Sequence, residues 1–194
     1  MGMEMPPSSY ENASFAVPSA VRRSSKASGI EKEVMELFDE FRRPLLRYSV
    51  SMGLSIHDAE EVIQEVFLAL FRHLHLGRSR SNLRGWLFRV THNLALKQRL
   101  ANHTSLERTA GDASVAAEHA DPSPGPEAQL SEAQRRYRLL AVVRALPDND
   151  QHCLRLRAEG LRYREIATVL GMSLGAVSIS LTRSLARLAR ADGR

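Results

Sequence analysis

Two clusters of side chains in this sequence are of a type and spacing that could do chemistry. Glu60, Glu61, Gln64 and Glu65 recur at helical spacing and make an acidic and amide face. Arg78, Arg80, Arg84, Arg89, Lys97 and Arg99 are the charges of residues 76–101, which hold six basic and no acidic side chains. Cations packed that densely attract polyanions, and interleaved amides such as Asn93 add hydrogen bonding. The chemistry offered is recognition rather than catalysis. The seven histidines are scattered, and His73 and His75, two apart on a helix, point to different sides. Cys153, the single cysteine, sits near Leu154 and Leu156 as a buried thiol would. No zinc spacing, phosphate loop, nucleophile elbow or dinucleotide fingerprint occurs, so no cofactor, metal or catalytic residue is expected.

The elements that must position these clusters are helices. Ile30–Ser49 carries Val34, Leu37, Phe38, Phe41 and Leu45 at helical spacing, with Pro44 expected to bend it. After the break at Met52–Ser55, Ser55 or Asp58 can cap a helix running to about Leu74. Ala59, Val62, Ile63, Val66, Phe67, Leu70 and Leu74 form one apolar stripe on it, and the acidic cluster lies opposite. Gly77 to Ser81 make a basic loop. A further helix then carries Leu83, Trp86, Leu87, Val90 and Leu94, with Arg84, Arg89, Asn93 and Lys97 on its other face. Trp86 reads as core.

Beyond residue 130 the pattern is helical again. Gln134–Ala145 turns Leu139, Leu140 and Val143 inward. Pro147 stops it, Asp148 or Asn149 caps the next helix, and Gly160 ends that one. Tyr163–Leu170, Gly171 and a last helix capped by Ser173 read as a helix-turn-helix. Ile166, Leu170, Met172 and Val177 form its small core, and the last helix also carries Leu181, Leu185 and Leu188. Such a second helix fits the DNA major groove.

The charge runs in blocks: net −4 over 31–75, +6 over 76–101, −5 over 102–133 and +7 over 134–194. Residues 1–29, rich in Ser, Ala and Pro, are expected to stay disordered. Residues 102–130 contain Pro122, Pro124 and Pro126 and read as a flexible linker. The expected architecture is therefore all-α. Two small helical domains, 30–101 and 131–194, fold independently on that linker. No run of 18 apolar residues and no signal peptide occur, so no membrane insertion and a cytoplasmic location are expected.

DAEEVIQEVFLALFRHL (58–74), LRGWLFRVTHNLALKQR (83–99) and the segment 145–188 together resemble a sigma-70-type RNA polymerase sigma factor of the small extracytoplasmic-function (ECF) group. That group keeps the second and fourth conserved regions. The resemblance implies that Asp58, Glu61, Gln64 and Glu65 dock on the clamp coiled-coil of the polymerase largest subunit. It implies that Arg78, Arg80, Arg84, Arg89, Asn93, Lys97 and Arg99 melt and read the −10 element. Arg162, Arg164, Ser173, Ala176, Ser178, Ser180, Arg183 and Arg187 match the region that meets the −35 element beside the polymerase flap. An anti-sigma factor is an expected partner. The family usually has Asp where Lys97 stands, and cations where Ser178 and Ser180 stand. Few bidentate base contacts are thus expected, with Arg183 and Arg187 among the phosphate contacts. Two other readings compete: a mimic that occupies an anti-sigma factor, and a stand-alone helix-turn-helix repressor. The basic 76–101 block argues against the first. The acidic helix and the lack of a dimerisation helix argue against the second.

Overall fold

The computed structural model describes residues 19–108 and 126–193, and all regular structure among them is helical. Helix α1 spans Ser19–Ser51, α2 Ile56–His75 and α3 Leu83–Arg108. Helix α4 spans Pro126–Arg144, α5 Asp148–Ala158, α6 Tyr163–Leu170 and α7 Leu174–Asp192. The expected boundaries move outward. Residues 19–29 are helical where disorder was expected, and 102–108 and 126–130 extend α3 and α4 into the expected linker. The rest of those two segments, 1–18 and 109–125, lies outside the described residues.

Helices α1, α2 and α3 pack as one unit. The seven apolar positions of α2 are all buried, and Ala59, Val66, Leu70 and Leu74 are sealed completely. Phe38 meets Phe67 edge-on at 4.9 Å, and Tyr48 meets Phe88 at 5.7 Å. These edge-to-face contacts fasten α1 to α2 and to α3. Pro44 stands inside α1, where its missing N–H leaves one carbonyl without its helical partner. Of the two expected caps of α2, Ser55 does the work: its Oγ accepts from the Asp58 N–H at 3.0 Å.

Helices α4 to α7 form the second unit. Helix α6 ends at Gly171 with φ +64, a left-handed conformation that glycine adopts without a Cβ clash. The chain then turns through 107° into α7, within the range of helix-turn-helix pairs. Ser173 Oγ accepts from the Ala176 N–H at 3.1 Å and caps α7. Three details of this unit differ from expectation. Helix α5 starts after Pro147 with no side-chain cap, in place of Asp148 or Asn149. Leu140 is exposed, not inward. Leu185 is also exposed, and Ser184 is buried in its stead. At roughly 100° per residue, a step of seven from Val177 returns to within about 20° of the same face, and a step of eight misses it by about 80°.

The two units are also in contact with each other. Helix α3 lies against α6, and α1 touches α5. Buried residues of both units join one continuous core cluster. Tail and head of the expected pair of domains thus share a boundary rather than standing apart.

Leu70→Ala should destabilise the fold by about 2–5 kcal/mol, because it opens a cavity in a sealed layer. Leu68→Ala, at a side chain 58% exposed on the same helix, should change stability by less than about 0.5 kcal/mol. Urea unfolding of the two variants against the parent chain checks both.

Candidate nucleic-acid and polymerase interface

Helix α2 presents Glu61, Gln64 and Glu65 to solvent, opposite its buried stripe. Glu61 is joined by His57 at 3.4 Å. Glu60 turns aside to Arg42 of α1 at 3.2 Å. Asp58 does not belong to this exposed set. Its carboxylate accepts from the Ser55 hydroxyl at 2.7 Å, from Asn102 Nδ2 at 3.1 Å and from Gln98 Nε2 at 3.3 Å. These bonds, Ser55's foremost, hold its carboxyl below the usual range. Asp58 thus ties the start of α2 to the far part of α3. Nothing in the spacing of 58–74 signals this, because both amides lie about forty residues away.

The basic side chains of 76–101 divide into two groups. Arg78 stands exposed in the loop, and Arg89, Asn93 and Lys97 share one exposed face of α3, four residues apart. The other three are engaged within the protein. Arg80 places Nε 3.1 Å from both carboxylate oxygens of Glu33. Arg99 points Nη1 at the Met52 carbonyl, 3.5 Å away. Arg84 donates from Nη2 to the Glu159 carbonyl at 2.5 Å, which carries it into the second helical unit. Gly160 makes room for that contact: φ is +83, and a Cβ there would sit 2.9 Å from Arg84 Nη2. Trp86 is half-buried against the core, with the His73 ring 4.7 Å away. Asn82 starts α3 from φ +54, and its Oδ1 accepts from the Gly85 N–H at 3.0 Å.

In the helix-turn-helix, Arg162, Arg164 and Ser178 are exposed and line a cleft of about 810 Å³ with Tyr163, Leu174 and Asn82. Arg187 is exposed further along α7, Ser173 is the cap, and Ala176 is half-buried. One expected DNA contact, Ser180, is corrected, and a second, Arg183, is exposed but paired within the fold. Ser180 is 3% exposed, and its hydroxyl donates to Asp150 Oδ1 at 2.8 Å. Arg183 grips both oxygens of Asp150, Nη2 to Oδ2 at 2.7 Å and to Oδ1 at 2.9 Å. A buried carboxylate needs such a compensating set, and Asp150 is 2% exposed. Sequence inspection missed Asp150, whose only signal was a second acid after Pro147 near the start of α5.

Cys153 is buried beside the Met172 sulfur at 4.0 Å, and burial raises its thiol pKa. Among the described residues no group of three or more His, Cys, Asp or Glu is placed to hold a metal ion.

Two family models match this chain: Sigma-70 region 2 over residues 37–104 and Sigma-70, region 4 over residues 136–188. The first covers α2, most of α3 and the C-terminal part of α1, and the second covers the helix-turn-helix. The ECF RNA polymerase sigma factor ShbA of Streptomyces griseus is 37% identical over 67% of this chain and 67% of its own. The probable RNA polymerase sigma factor RfaY of Xanthomonas campestris is 28% identical over 82% of this chain, which spans 40% of that longer relative. Among solved structures, the sigma factor RpoE of Bartonella quintana, in complex with the anti-sigma factor NepR, matches with a TM-score of 0.64. It is 17% identical and covers 82% of this chain and 96% of its own, which is a likeness of fold. The fold and the matched regions define a bacterial-type transcription initiation factor. The chain belongs to the sigma-70 family, in its ECF group.

Asp150→Ala should destabilise the protein by about 1–3 kcal/mol, since it leaves the buried Ser180 hydroxyl without its acceptor and unties α7 from α5. Arg187→Ala should leave stability unchanged within about 0.5 kcal/mol. Thermal or urea unfolding of the two variants tests the division of α7 into an anchoring and an exposed side.

Proposed function

We propose that this chain carries RNA polymerase core to promoters, docking through α2 and meeting DNA through α3 and the helix-turn-helix. The observation that carries the reading is the division of α2. Its apolar stripe is buried, and Glu61, Gln64 and Glu65 face outward from a rigid support. In the resemblance this face meets the clamp coiled-coil of the polymerase largest subunit. The −10 contacts belong to Arg78, Arg89, Asn93 and Lys97, exposed side chains of this block, whereas Arg80, also exposed, is paired with Glu33. Flipped bases need stacking and polar surfaces, and their backbone needs cations.

The −35 contacts belong to Arg162, Arg164, Ser178 and Arg187. Ser178 is the one exposed hydroxyl of the first turns of α7 outside its cap, and Ile179 beside it is 65% exposed. Such a surface suits phosphate contacts with sparse base reading. A cytosolic site of action and an anti-sigma partner complete the proposal, the latter supported by the relative solved with NepR.

Charge reversal at Glu61 and Glu65 together should abolish co-purification with core polymerase while leaving the helical circular dichroism unchanged. A folded double variant that still co-purifies would sink the docking assignment. On matched and scrambled −35 duplexes, Arg187→Ala should weaken binding about equally and lower the salt slope by about one unit. Ser178→Ala should alter preference among sequences instead. A fluorescence-anisotropy titration over salt separates the two behaviours.

A further inference from the structure

The boundary between the two helical units includes, beside its apolar core, groups that respond to protons. His92 of α3 and His152 of α5 are each 6% exposed and meet ring to ring, 5.1 Å between centroids and 80° between planes. From α1, Tyr48 sets its hydroxyl 2.8 Å from His92 Nδ1. Burial raises the Tyr48 pKa, so the phenol keeps its proton and shares this hydrogen bond with a neutral imidazole. His152 Nδ1 is buried with no partner among the described residues. The charges that face this pair are chiefly positive: Arg99 from α3 and Arg155 from α5, against Asp148 at the start of α5. Cys153, next along α5, is a neutral neighbour. Among the described residues no carboxylate bonds to either imidazole.

A second layer of contacts clasps the same boundary. Arg47 of α1 makes a two-pronged ion pair with Glu159, at 2.7 and 3.2 Å. Arg84 of α3 donates to the carbonyl of that same residue. Glu159 is thus held from two helices of the other unit just past the end of α5.

We propose that the His92–His152 contact is an acid-released latch that keeps the two helical units closed on each other until protonation drives them apart. Two imidazolium rings 5 Å apart, beside two guanidinium groups and shut off from water, repel each other and lose their hydration. Separation of the units returns both rings to solvent. The direction follows from linkage. Burial first, then His152 and Arg99, lower the His92 pKa from 6.5 to about 4, and burial, Arg155 and Arg99 lower that of His152. The open form therefore binds more protons. The closed form is favoured above the ordinary histidine pKa and loses ground as pH falls below it. At pH 5.5, His92 alone shifts the balance about tenfold toward the open form relative to pH 8.

Closure also has a meaning for DNA, which rests on the reading under Proposed function. Asn82, at the start of the −10 helix, lines the same cleft as Arg162 and Ser178 of the −35 helices. Promoter elements centred about 25 base pairs apart are separated by about 85 Å along the duplex. With the −35 helices held against the start of α3, the two DNA surfaces do not span that distance, so the latch sets how readily the free protein becomes competent for promoters.

The test uses the full chain without polymerase or DNA. Spin labels are placed at Arg43→Cys on α1 and Ala186→Cys on α7, both exposed; the native Cys153 is buried. Pulsed dipolar spectroscopy reads the distance in this chain, and again with Glu159→Gln added to loosen the clasp. At pH 8 the labelled chain should give one narrow closed distance. On going to pH 5.5, with helical circular dichroism constant, the ratio of open to closed should rise at least tenfold in the Glu159→Gln background. His92→Gln with His152→Gln should remove that pH response in the same background. A broad distribution at pH 8 without Glu159→Gln, an unchanged ratio at pH 5.5, or an equal response in the double glutamine variant would each overturn the latch. A chain that opens as described yet fails to co-purify with core polymerase would keep the latch and overturn the sigma reading.

Discussion

One buried carboxylate constrains the C-terminal half of this molecule. Asp150 sits in the first turn of α5, almost wholly shut off from water, and must be compensated where it stands. Ser180 and Arg183 supply that compensation from α7, and the three side chains fix how α7 crosses α5. The helix-turn-helix follows from it. With α7 held on one side by Asp150, the other side is left to Ser178, Ile179 and Arg187. Gly171 and Ser173 then set the turn and cap that bring α6 against α7.

Helix α5 is eleven residues long, yet it serves two masters. Its start anchors α7. Its middle sets His152 against His92, and the residue past its end is held by Arg47 and Arg84. A short helix with acid in its first turn and two arginines in its last is also favourably placed in the field of its own dipole. The outcome is a recognition module whose orientation toward α1–α3 depends on a small set of polar contacts beside the apolar core that crosses the boundary. Polar contacts of that kind are the ones that charge and pH can alter.

Much of this was legible in the sequence, for reasons of periodicity. The stripe from Ala59 to Leu74 follows the helical repeat without a gap, and all seven residues are buried. Tyr163–Leu170, the glycine turn and the Ser173 cap were readable because each signal is local. Pairings across the chain left no such trace. Ser180 looks like an exposed DNA contact until Asp150, thirty residues earlier, is seen beneath it, and Arg183, still half exposed, is tied to the same carboxylate. Asp58 looks like part of an acidic docking face until Gln98 and Asn102 are found bonded to it. Arg84 reads as a nucleic-acid ligand, but its hydrogen bond to the Glu159 carbonyl links two units expected to be separate. The slip of Leu185 for Ser184 has a simpler origin: a leucine repeat was followed where the helical period was one residue shorter.

The account makes this chain a promoter-selecting subunit with its own surfaces for polymerase and DNA. Run-off transcription with purified core polymerase is the direct measurement, on templates that carry or lack a matched pair of promoter elements. The account predicts a discrete transcript only when the chain, the core enzyme and the matched template are all present. A chain that binds core polymerase but yields no template-dependent transcript would contradict it, as would one that represses transcription by a different sigma subunit without starting any of its own.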